Sequence, residues 1–279
     1  MARKRSGTPR AFAYLLLVCA GGLAVWLGGC DKIASKFSSL RKDPSRRKEP
    51  ARNRAPHGSA GPKLAIILDD LGNDREAAET IFALREPLTV SVLPFHPHST
   101  EIAEQAKRRG LGVMLHLPMQ AVGNELAEAH QLHRGMTEAE VARLVGEMLQ
   151  SVPTAAGVNN HEGSLATTDT QLMTELMPLL KQRGLFFIDS RTTAATVAFD
   201  TAEQAGVRSG FRNVPFLDDV EDVAAIRKQM ELAVDAAKEK GAAIAIGHPH
   251  RATLQVLGET LPELQSQGVR LVLVSDLVR

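Results

Sequence analysis

From residue 63 onward the chain alternates short apolar runs with segments of helical period, and this alternation limits the folds open to it. Residues 64–68, 88–95, 185–188 and 242–246 are among the apolar runs, and their lengths are typical of buried strands. Helical patterns over about 74–85, 99–109, 137–152, 169–183, 220–240 and 252–267 separate such runs. Seven or eight strand–helix units in succession predict an α/β fold, with a parallel sheet and helices outside it.

Two parallel architectures fit this pattern, a closed barrel and a doubly wound open sheet. No Gly-x-Gly-x-x-Gly follows the first apolar run, and no Gly-Lys-Ser/Thr phosphate loop occurs in the sequence. These are the loops with which open sheets of this kind hold dinucleotides and nucleotides. We therefore expect no nucleotide cofactor, and we favour the barrel.

The first thirty residues predict a membrane segment. Four basic residues among the first ten precede an uncharged stretch over 11–30, which is about long enough to span a bilayer as a helix. The flanking positive charge keeps the N-terminus in the cytoplasm and exports the rest. The segment is either a retained signal anchor or a lipoprotein signal, because Leu27-Gly28-Gly29-Cys30 resembles a lipoprotein cleavage box. Both predict a tether in a bacterial inner membrane and a domain in the periplasm.

Composition separates two further regions. Residues 31–62 are rich in Lys, Arg, Pro, Ser and Gly, which predicts a flexible linker before a domain over 63–279. The first 60 residues carry 13 basic and 3 acidic side chains, and the other 219 carry 20 and 29. A domain of net charge −9 repels phosphate, so no nucleic-acid partner is expected. Both cysteines precede residue 31, which leaves the domain no thiolate for a zinc site or a nucleophile.

Histidine, aspartate and asparagine recur where the predicted strands end. In a parallel barrel the carboxyl ends of the strands meet on one face, where the loops build the site. Zinc binds His nitrogen and Asp oxygen and lowers the pKa of a bound water, while a carboxylate and a histidine can serve as base and acid. The pattern therefore predicts a metal-assisted hydrolytic site. Its candidate residues are Asp69, Asp70, His96, His98, His116, Asn159, Asn160, His161, Asp189, His248 and His250.

The adjacent pair Asp69 and Asp70 allows one further expectation. Neighbouring side chains in a strand point to opposite faces. We therefore expect the two carboxylates to divide the work, one binding the metal and the other handling a proton.

Six ordered motifs over residues 63–279 resemble the divergent polysaccharide deacetylase family, a branch of the NodB-like deacetylases. The resemblance implies a distorted (β/α)7–8 barrel of the NodB-like type. The motifs are Ile67-Leu68-Asp69-Asp70-Leu71-Gly72, Ser91-Val92-Leu93-Pro94, His116-Leu117-Pro118-Met119, Gly157-Val158-Asn159-Asn160-His161-x-Gly163-Ser164, Phe187-Ile188-Asp189-Ser190-Arg191 and Ile246-Gly247-His248-Pro249.

The resemblance also implies a role for individual residues. Asp69 matches the catalytic base, His248 the general acid, and Asp189 a supporting acidic residue of the catalytic group. Asp70, His116 and His161 match the ligands of a divalent metal, for which zinc is favoured. The candidate substrate contacts are His98, Asn160 and Arg191.

The function implied by the resemblance is hydrolysis of an N-acetyl or O-acetyl group on an amino-sugar glycan of the bacterial envelope. The domain contains neither Trp nor Tyr, the rings that usually stack on sugars, so a short glycan is easier to accommodate than a long polymer. The alternative is a non-catalytic module that binds a glycan or a protein on the same scaffold. Retention of Asp69, Asp70 and His248 favours the enzyme. The few basic residues near the strand ends disfavour a phosphoesterase.

Overall fold

Eight strands and seven α-helices are present in the computed structural model, which describes residues 61–123 and 130–279. The strands are β1 (Lys63–Leu71), β2 (Thr89–Val92), β3 (Gly112–Met119), β4 (Gly157–Glu162), β5 (Phe186–Asp189), β6 (Ser209–Phe211), β7 (Ala242–Gly247) and β8 (Arg270–Leu271). The helices are α1 (Arg75–Ala83), α2 (Ser99–Arg108), α3 (Glu138–Ser151), α4 (Thr170–Gln182), α5 (Ala198–Ala205), α6 (Val223–Lys240) and α7 (Arg251–Thr260).

The membrane segment predicted at residues 1–30 lies outside the described residues, as does nearly all of the predicted linker. Within the described ranges, no helix is both long enough and apolar enough to span a bilayer.

All of the strand pairs are parallel, and seven strands form one run in the order β6-β5-β4-β3-β2-β1-β7. The short β8 pairs with the beginning of β1 beside this run. Residues 64–69 of β1 are buried without interruption. Such continuous burial is typical of a parallel strand covered on both faces, as the apolar run predicted.

The sheet is a half-barrel, because its end strands β6 and β7 are not paired with each other. The irregular chain after β6 bridges the gap instead: Asn213 N donates to Ile244 O and Leu217 N donates to Ile246 O, both at 2.9 Å. Pro215 lies between these two donors and has no N–H to continue a ladder. The expected parallel α/β architecture is thus confirmed, whereas strand pairing around a complete barrel is not.

Apolar side chains fill the inside of the half-barrel. Ile67, Ile188 and Ile246 project there from three strands, together with Val272 and Val274 of the C-terminal segment. A second and larger core lies between the sheet and the helices. Because the interior is packed, polar chemistry is confined to the carboxyl ends of the strands.

Local sequence signals explain most of the helix boundaries. Thr137 and Glu140 form the capping box at the start of α3, as predicted. The helix predicted over 252–267 is wrong at its end, because α7 stops at Thr260 and Pro262 follows in a 3₁₀ turn. Helix α5 had not been predicted from the sequence, since its buried face consists of two alanines, Ala198 and Ala202.

Candidate functional site

A backbone irregularity at the end of β1 sets the positions of the two aspartates. The pairing register between β1 and β2 shifts between Leu68 and Leu71, and Asp70 has a left-handed φ of +58°. Such an irregularity turns a side chain away from strict alternation. Both carboxylates therefore approach the same atom, His116 Nε2, at 3.7 Å from Asp69 and 3.1 Å from Asp70. The expectation that they must point apart is wrong in this respect.

His116 lies inside β3 rather than at its end, because the strand continues to Met119. Its partner in the parallel register is Asn159 of β4. His161 follows Asn159 by two residues in β4, so the two share one face of the sheet. The two strands thus place His116, Asn159 and His161 together, below the rim of the half-barrel.

Three side-chain atoms converge to form a candidate metal site. Asp70 Oδ1 is 3.1 Å from His116 Nε2 and 3.0 Å from His161 Nδ1, and the two nitrogens are 3.1 Å apart. Ligand atoms around a zinc-sized ion lie about 3.0–3.4 Å from one another. Asp70 Oδ1 is also buried without a hydrogen-bond partner. The donor set, the spacing and this unsatisfied oxygen fit a divalent cation.

Charge interactions within this cluster shift the pKa values of its members. Burial raises the pKa of Asp70, but the close approach of His116 and His161 outweighs it and leaves that pKa well below its ordinary value. Burial lowers the pKa of His116, but the charges of Asp69 and Asp70 outweigh burial and raise it. For Asp69 burial dominates, so its pKa is raised despite the neighbouring His116. A carboxyl whose pKa is raised suits a general base.

Asn159 connects Asp69 to His116, and it had no assigned role in the sequence analysis. Its Nδ2 donates to both carboxylate oxygens of Asp69, at 2.9 and 3.0 Å, and to Ser190 Oγ at 3.2 Å. Its Oδ1 is 2.9 Å from His116 Nδ1 and accepts from Ser91 Oγ at 2.5 Å. The only sequence signal for this connection was the position of Asn159 in the Asn-Asn-His motif.

Asp218 holds His248, and sequence reasoning missed it. Asp218 Oδ1 is 2.9 Å from His248 Nδ1, while Oδ2 accepts from His248 N at 2.6 Å and from Thr253 Oγ1 at 2.7 Å. Burial lowers the pKa of His248, but the hydrogen bond to Asp218 outweighs it and raises that pKa to about 9. His248 Nε2 lies 3.9 Å from Asp70 Oδ2 and so faces the candidate metal site. Asp218 follows no strand, which is why a search of strand ends did not find it.

Asp218, His248 and His250 also lie close enough together to form a possible ligand group. Both oxygens of Asp218 already accept hydrogen bonds from the protein. His250 Nε2 is 3.5 Å from Glu221 Oε1. This group is therefore explained by hydrogen bonding, unlike the cluster that contains the unsatisfied Asp70 Oδ1.

The Asp189 carboxylate is bonded to the loop after β5. It accepts from Arg191 N at 2.8 Å, Thr196 Oγ1 at 2.9 Å and Phe199 N at 3.3 Å. Burial raises its pKa. Asp189 thus fixes the loop beside the site, and its predicted membership of the catalytic group stays a prediction.

The three candidate substrate contacts have different surroundings. Asn160 is 1% exposed, donates to Glu162 O at 2.8 Å and accepts from Ser190 N at 2.9 Å, so its amide joins β4 to the end of β5. The exposed Arg191 guanidinium stacks 3.5 Å above the Phe211 ring. His98 lies before α2, where its Nδ1 is 3.6 Å from Glu101 Oε2. These hydrogen bonds of Asn160 and this ion pair of His98 do not reach Asp70, His116 or His161.

A parallel half-barrel with an Asp-His-His cluster at the carboxyl ends of its strands defines a protein of the polysaccharide deacetylase type. Sequence comparison makes the assignment specific. The chain belongs to the divergent polysaccharide deacetylase family, whose sequence profile matches residues 66–278.

Two relatives from bacteria match most of this chain. An uncharacterized protein of Haemophilus influenzae is 40% identical over 220 residues, which are 79% of this chain and 78% of the relative. The protein YibQ of Escherichia coli, also uncharacterized, is 38% identical over 216 residues, 77% of this chain and 67% of the relative.

Solved structures share the fold at lower identity. An uncharacterized protein from Agrobacterium tumefaciens has a TM-score of 0.75 at 20% identity, covering 79% of this chain and 91% of that one. A CE4 family pseudoenzyme from Bacillus anthracis scores 0.52 at 11% identity, with coverages of 78% and 65%. The peptidoglycan deacetylase PdaC from Bacillus subtilis scores 0.50 at 14% identity, with coverages of 78% and 90%. The fold is thus a half-barrel like that of CE4 deacetylases, and it is shared by a protein named as a deacetylase and by one named as a pseudoenzyme.

Proposed function

We propose that this protein is a metal-dependent hydrolase that removes acetyl groups from an amino-sugar glycan of the bacterial envelope. The observation that carries the proposal is the convergence of Asp70 Oδ1, His116 Nε2 and His161 Nδ1 within 3.0–3.1 Å of one another. A base candidate and an acid candidate stand beside these atoms, as amide or ester hydrolysis requires. Family membership supports the acetylated glycan as the substrate.

Asp70, His116 and His161 would hold the cation, for which zinc fits the two-nitrogen, one-oxygen donor set. A divalent cation bound there supplies a Lewis acid that acidifies water and polarises a carbonyl. Asp69, whose pKa is raised by burial, would accept the proton of the attacking water. Its hydrogen bond from Asn159 keeps its carboxylate oriented.

His248 would donate a proton to the departing amine or alcohol. Its pKa of about 9 keeps the ring protonated at neutral pH. Because Nδ1 is engaged by Asp218, the proton available to a substrate is the one on Nε2. That nitrogen faces Asp70, so the acid stands close to the proposed metal.

The alternative is a non-catalytic binding module, and it is supported by the similarity to a solved pseudoenzyme structure. The fold is shared with a CE4 family pseudoenzyme, a mutant of which has restored enzymatic activity. Fold alone therefore does not establish catalysis. The domain also lacks the Trp and Tyr rings that usually form sugar platforms.

Metal content and acetate release test the proposal together. The purified full-length chain should bind about one zinc ion per chain, and His116→Ala and His161→Ala should each abolish that stoichiometric binding. His133→Ala is the matched control, because His133 is an exposed histidine whose Nδ1 contacts the Arg134 carbonyl. Absence of metal from the wild-type chain, or loss of metal in the control as well, contradicts the metal site.

Activity separates the enzyme from the binding module. The zinc-loaded chain should release acetate from N-acetylated cell-wall sugars, whereas Asp69→Asn should bind zinc but release acetate at least about 100-fold more slowly. Equal release by both proteins contradicts Asp69 as the base. Binding of glycan without release of acetate favours the non-catalytic module.

We also propose that the protein is held at the inner membrane by residues 1–30, with its domain in the periplasm. The charge pattern of the first ten residues and the uncharged stretch after them support this location. Such a tether keeps the domain close to the envelope glycan that we propose as its substrate.

A further inference from the structure

We propose that Asn159 is a positioning residue that sets the tautomer of His116 and holds Asp69 ready to accept a proton. The inference rests on the proposed metal site, since it concerns how one metal ligand is prepared. The buried amide of Asn159 would thus connect the candidate base, Asp69, to the candidate metal ligand His116.

The Asn159 amide uses all of its hydrogen-bonding capacity. An asparagine side chain has two N–H donors and two acceptor lone pairs on its oxygen. Nδ2 donates to the Asp69 carboxylate and to Ser190 Oγ. Oδ1 lies within hydrogen-bond distance of Ser91 Oγ and His116 Nδ1. The residue is completely buried, so no water competes for these positions.

The contacts of the amide show which way it points. Its Nδ2 lies beside both oxygens of Asp69, and its Oδ1 lies beside Ser91 Oγ and His116 Nδ1. Oδ1 cannot donate, and the hydrogen bond at 2.9 Å therefore needs the proton on His116 Nδ1. The reverse orientation would require Asp69 to be protonated and the neutral His116 to carry its proton on Nε2.

The tautomer matters because the other ring nitrogen faces the candidate metal site. In the neutral ring with Nδ1 protonated, Nε2 has a free lone pair, and this nitrogen is 3.1 Å from Asp70 Oδ1. The opposite tautomer would direct a hydrogen toward the position of the cation. A hydrogen bond to the remote nitrogen is the usual way in which proteins fix a ligating histidine.

The same amide also restrains the candidate base. Its Nδ2 contacts both oxygens of Asp69 almost equally, at 2.9 and 3.0 Å. The carboxylate is therefore held between Asn159 and His116 Nε2, which is 3.7 Å away. Loss of the whole amide, as in Asn159→Ala, should therefore disturb both proton acceptance by Asp69 and metal binding by His116.

Histidine tautomers can be read directly by nitrogen-15 NMR of the metal-free full-length chain. We expect the neutral ring of His116 to show the proton on Nδ1 at the alkaline end of a pH series, with the signal assigned by its loss in His116→Ala. In Asn159→Ala this preference should disappear, and the zinc affinity should fall by about 10- to 100-fold.

Asn159→Asp separates the two functions of the amide. An aspartate still accepts a hydrogen bond from His116 Nδ1, so the tautomer should be retained and zinc binding should exceed that of Asn159→Ala. It no longer donates to Asp69, so acetate release should remain impaired. This variant also keeps the experiment decisive if Asn159→Ala fails to fold.

Asn213→Ala is the matched control for the loss of a structural asparagine. The Asn213 Oδ1 accepts from Ile244 N at 2.6 Å, in the segment that bridges β6 and β7. This control should lose stability but keep the His116 tautomer and the zinc affinity. A general loosening of the fold would alter the control and Asn159→Ala alike, and that result overturns the proposal.

The proposal is also overturned if wild-type His116 carries its proton on Nε2, or if Asn159→Ala keeps both the Nδ1 proton and the wild-type zinc affinity. These outcomes are distinguishable from failure of the proposed function. A chain with the expected tautomer and zinc affinity but no acetate release would contradict the deacetylase and leave the role of Asn159 intact.

Discussion

At the scale of single residues, the His248 ring is surrounded by groups that favour its protonated form. Asp218 is hydrogen-bonded to its Nδ1, and the charges of Asp69 and Asp70 add to the effect. The centroid of the His250 ring lies 5.7 Å away, and the two rings are tilted by 46°. Three acidic groups thus oppose the burial that would otherwise favour a neutral ring, and Asp218 contributes most among them.

Asp218→Asn should therefore shift the pH dependence of acetate release. With a pKa of about 9, wild-type His248 remains an acid through neutral pH and loses its proton as the pH rises through that value. Removing the Asp218 charge leaves only Asp69 and Asp70 to oppose the effect of burial on the pKa of His248, so the alkaline limb of the kcat profile should move to lower pH. We expect kcat at pH 8 to fall roughly 10- to 100-fold, part of what general acid–base catalysis supplies.

Thr253→Ala is the control for this experiment. Thr253 donates to Oδ2 of the same carboxylate, whereas His248 Nδ1 is bonded to Oδ1. Its removal should leave the alkaline limb within a few tenths of a pH unit of wild type. An unchanged limb in Asp218→Asn would contradict His248 as the acid.

Some residues of the site could be predicted from sequence because their signal is local. Asp70, His116 and His161 lie on strands that the apolar runs reveal, and parallel strands bring them together. Asp218 could not be found in this way, because it lies in irregular chain and meets His248 only through the fold. The approach of both aspartates to His116 was equally hidden, since it depends on a register shift in β1.

At the scale of elements, the site depends on the loop after β5. This loop has a polar sequence, and its conformation is fixed by the buried Asp189 carboxylate, which accepts two hydrogen bonds from it and one from Phe199 N at the start of α5. Arg191 has a left-handed φ of +49° in the same loop. A strained backbone of this kind persists only where surrounding contacts hold it.

Asp189→Ala should release this loop. Three donors would lose their acceptor, and a buried donor without a partner costs about 1–3 kcal/mol. We expect the free energy of unfolding to fall by about that amount in urea titrations, and limited proteolysis to cut within 190–199. Zinc affinity should remain near that of wild type, because Asp189 is not among the candidate ligands. Unchanged proteolysis together with a large loss of acetate release would instead favour the catalytic-group role implied by the family resemblance.

Strand β4 begins at a position where only glycine fits. A Cβ on Gly157 would lie 2.3–2.5 Å from ring atoms of Phe186 on β5, far inside contact distance. The ring of Phe186 is 2% exposed and belongs to the interior core. The contact therefore sets how closely β4 and β5 approach beside Asn159.

Gly157→Ala should destabilise the protein by about 1–3 kcal/mol, the usual cost of overpacking a core. Gly146→Ala is the matched control, because a Cβ there meets only the Arg183 side chain at 3.4 Å and alanine favours the helix α3. Thermal unfolding should show a lower Tm for the first variant and an equal or higher Tm for the second. Equal Tm values for wild type and Gly157→Ala would show that the ring moves away at little cost.

The sequence patterns predicted the presence of helices and strands better than the residues at which these elements end. Strand β1 was foreseen because it contains a continuous apolar run over residues 64–68. Strand β6 ends after three residues, Ser209–Phe211, because the following chain turns away to bond with β7. Closure of a sheet depends on such long-range contacts, which no local pattern contains.

At the scale of the whole molecule, charge is divided unequally along the chain. The first 60 residues have a net charge of +10 and the remaining 219 a net charge of −9. An acidic domain is repelled by anionic phospholipid headgroups, whereas basic residues beside a membrane segment are attracted to them. This division fits the proposed tether, in which the N-terminal part meets the membrane and the domain stays in the aqueous phase.

Fractionation of cells that produce the full-length chain tests the tether and distinguishes its two forms. The wild-type chain should sediment with the inner membrane and should resist extraction by high salt, because a membrane segment is held by apolar burial rather than by charge. Removal of residues 2–29 should transfer the chain to the soluble fraction. Cys30→Ala decides between the two forms. If residues 1–30 are a signal anchor, the variant stays in the membrane and its mass equals that of the wild-type chain apart from the substitution. If they are a lipoprotein signal, the variant is neither cleaved nor lipidated, so its mass differs from that of the processed wild-type protein. Extraction of the wild-type chain by salt alone would contradict both forms, since it would leave only the basic residues to hold the protein at the surface.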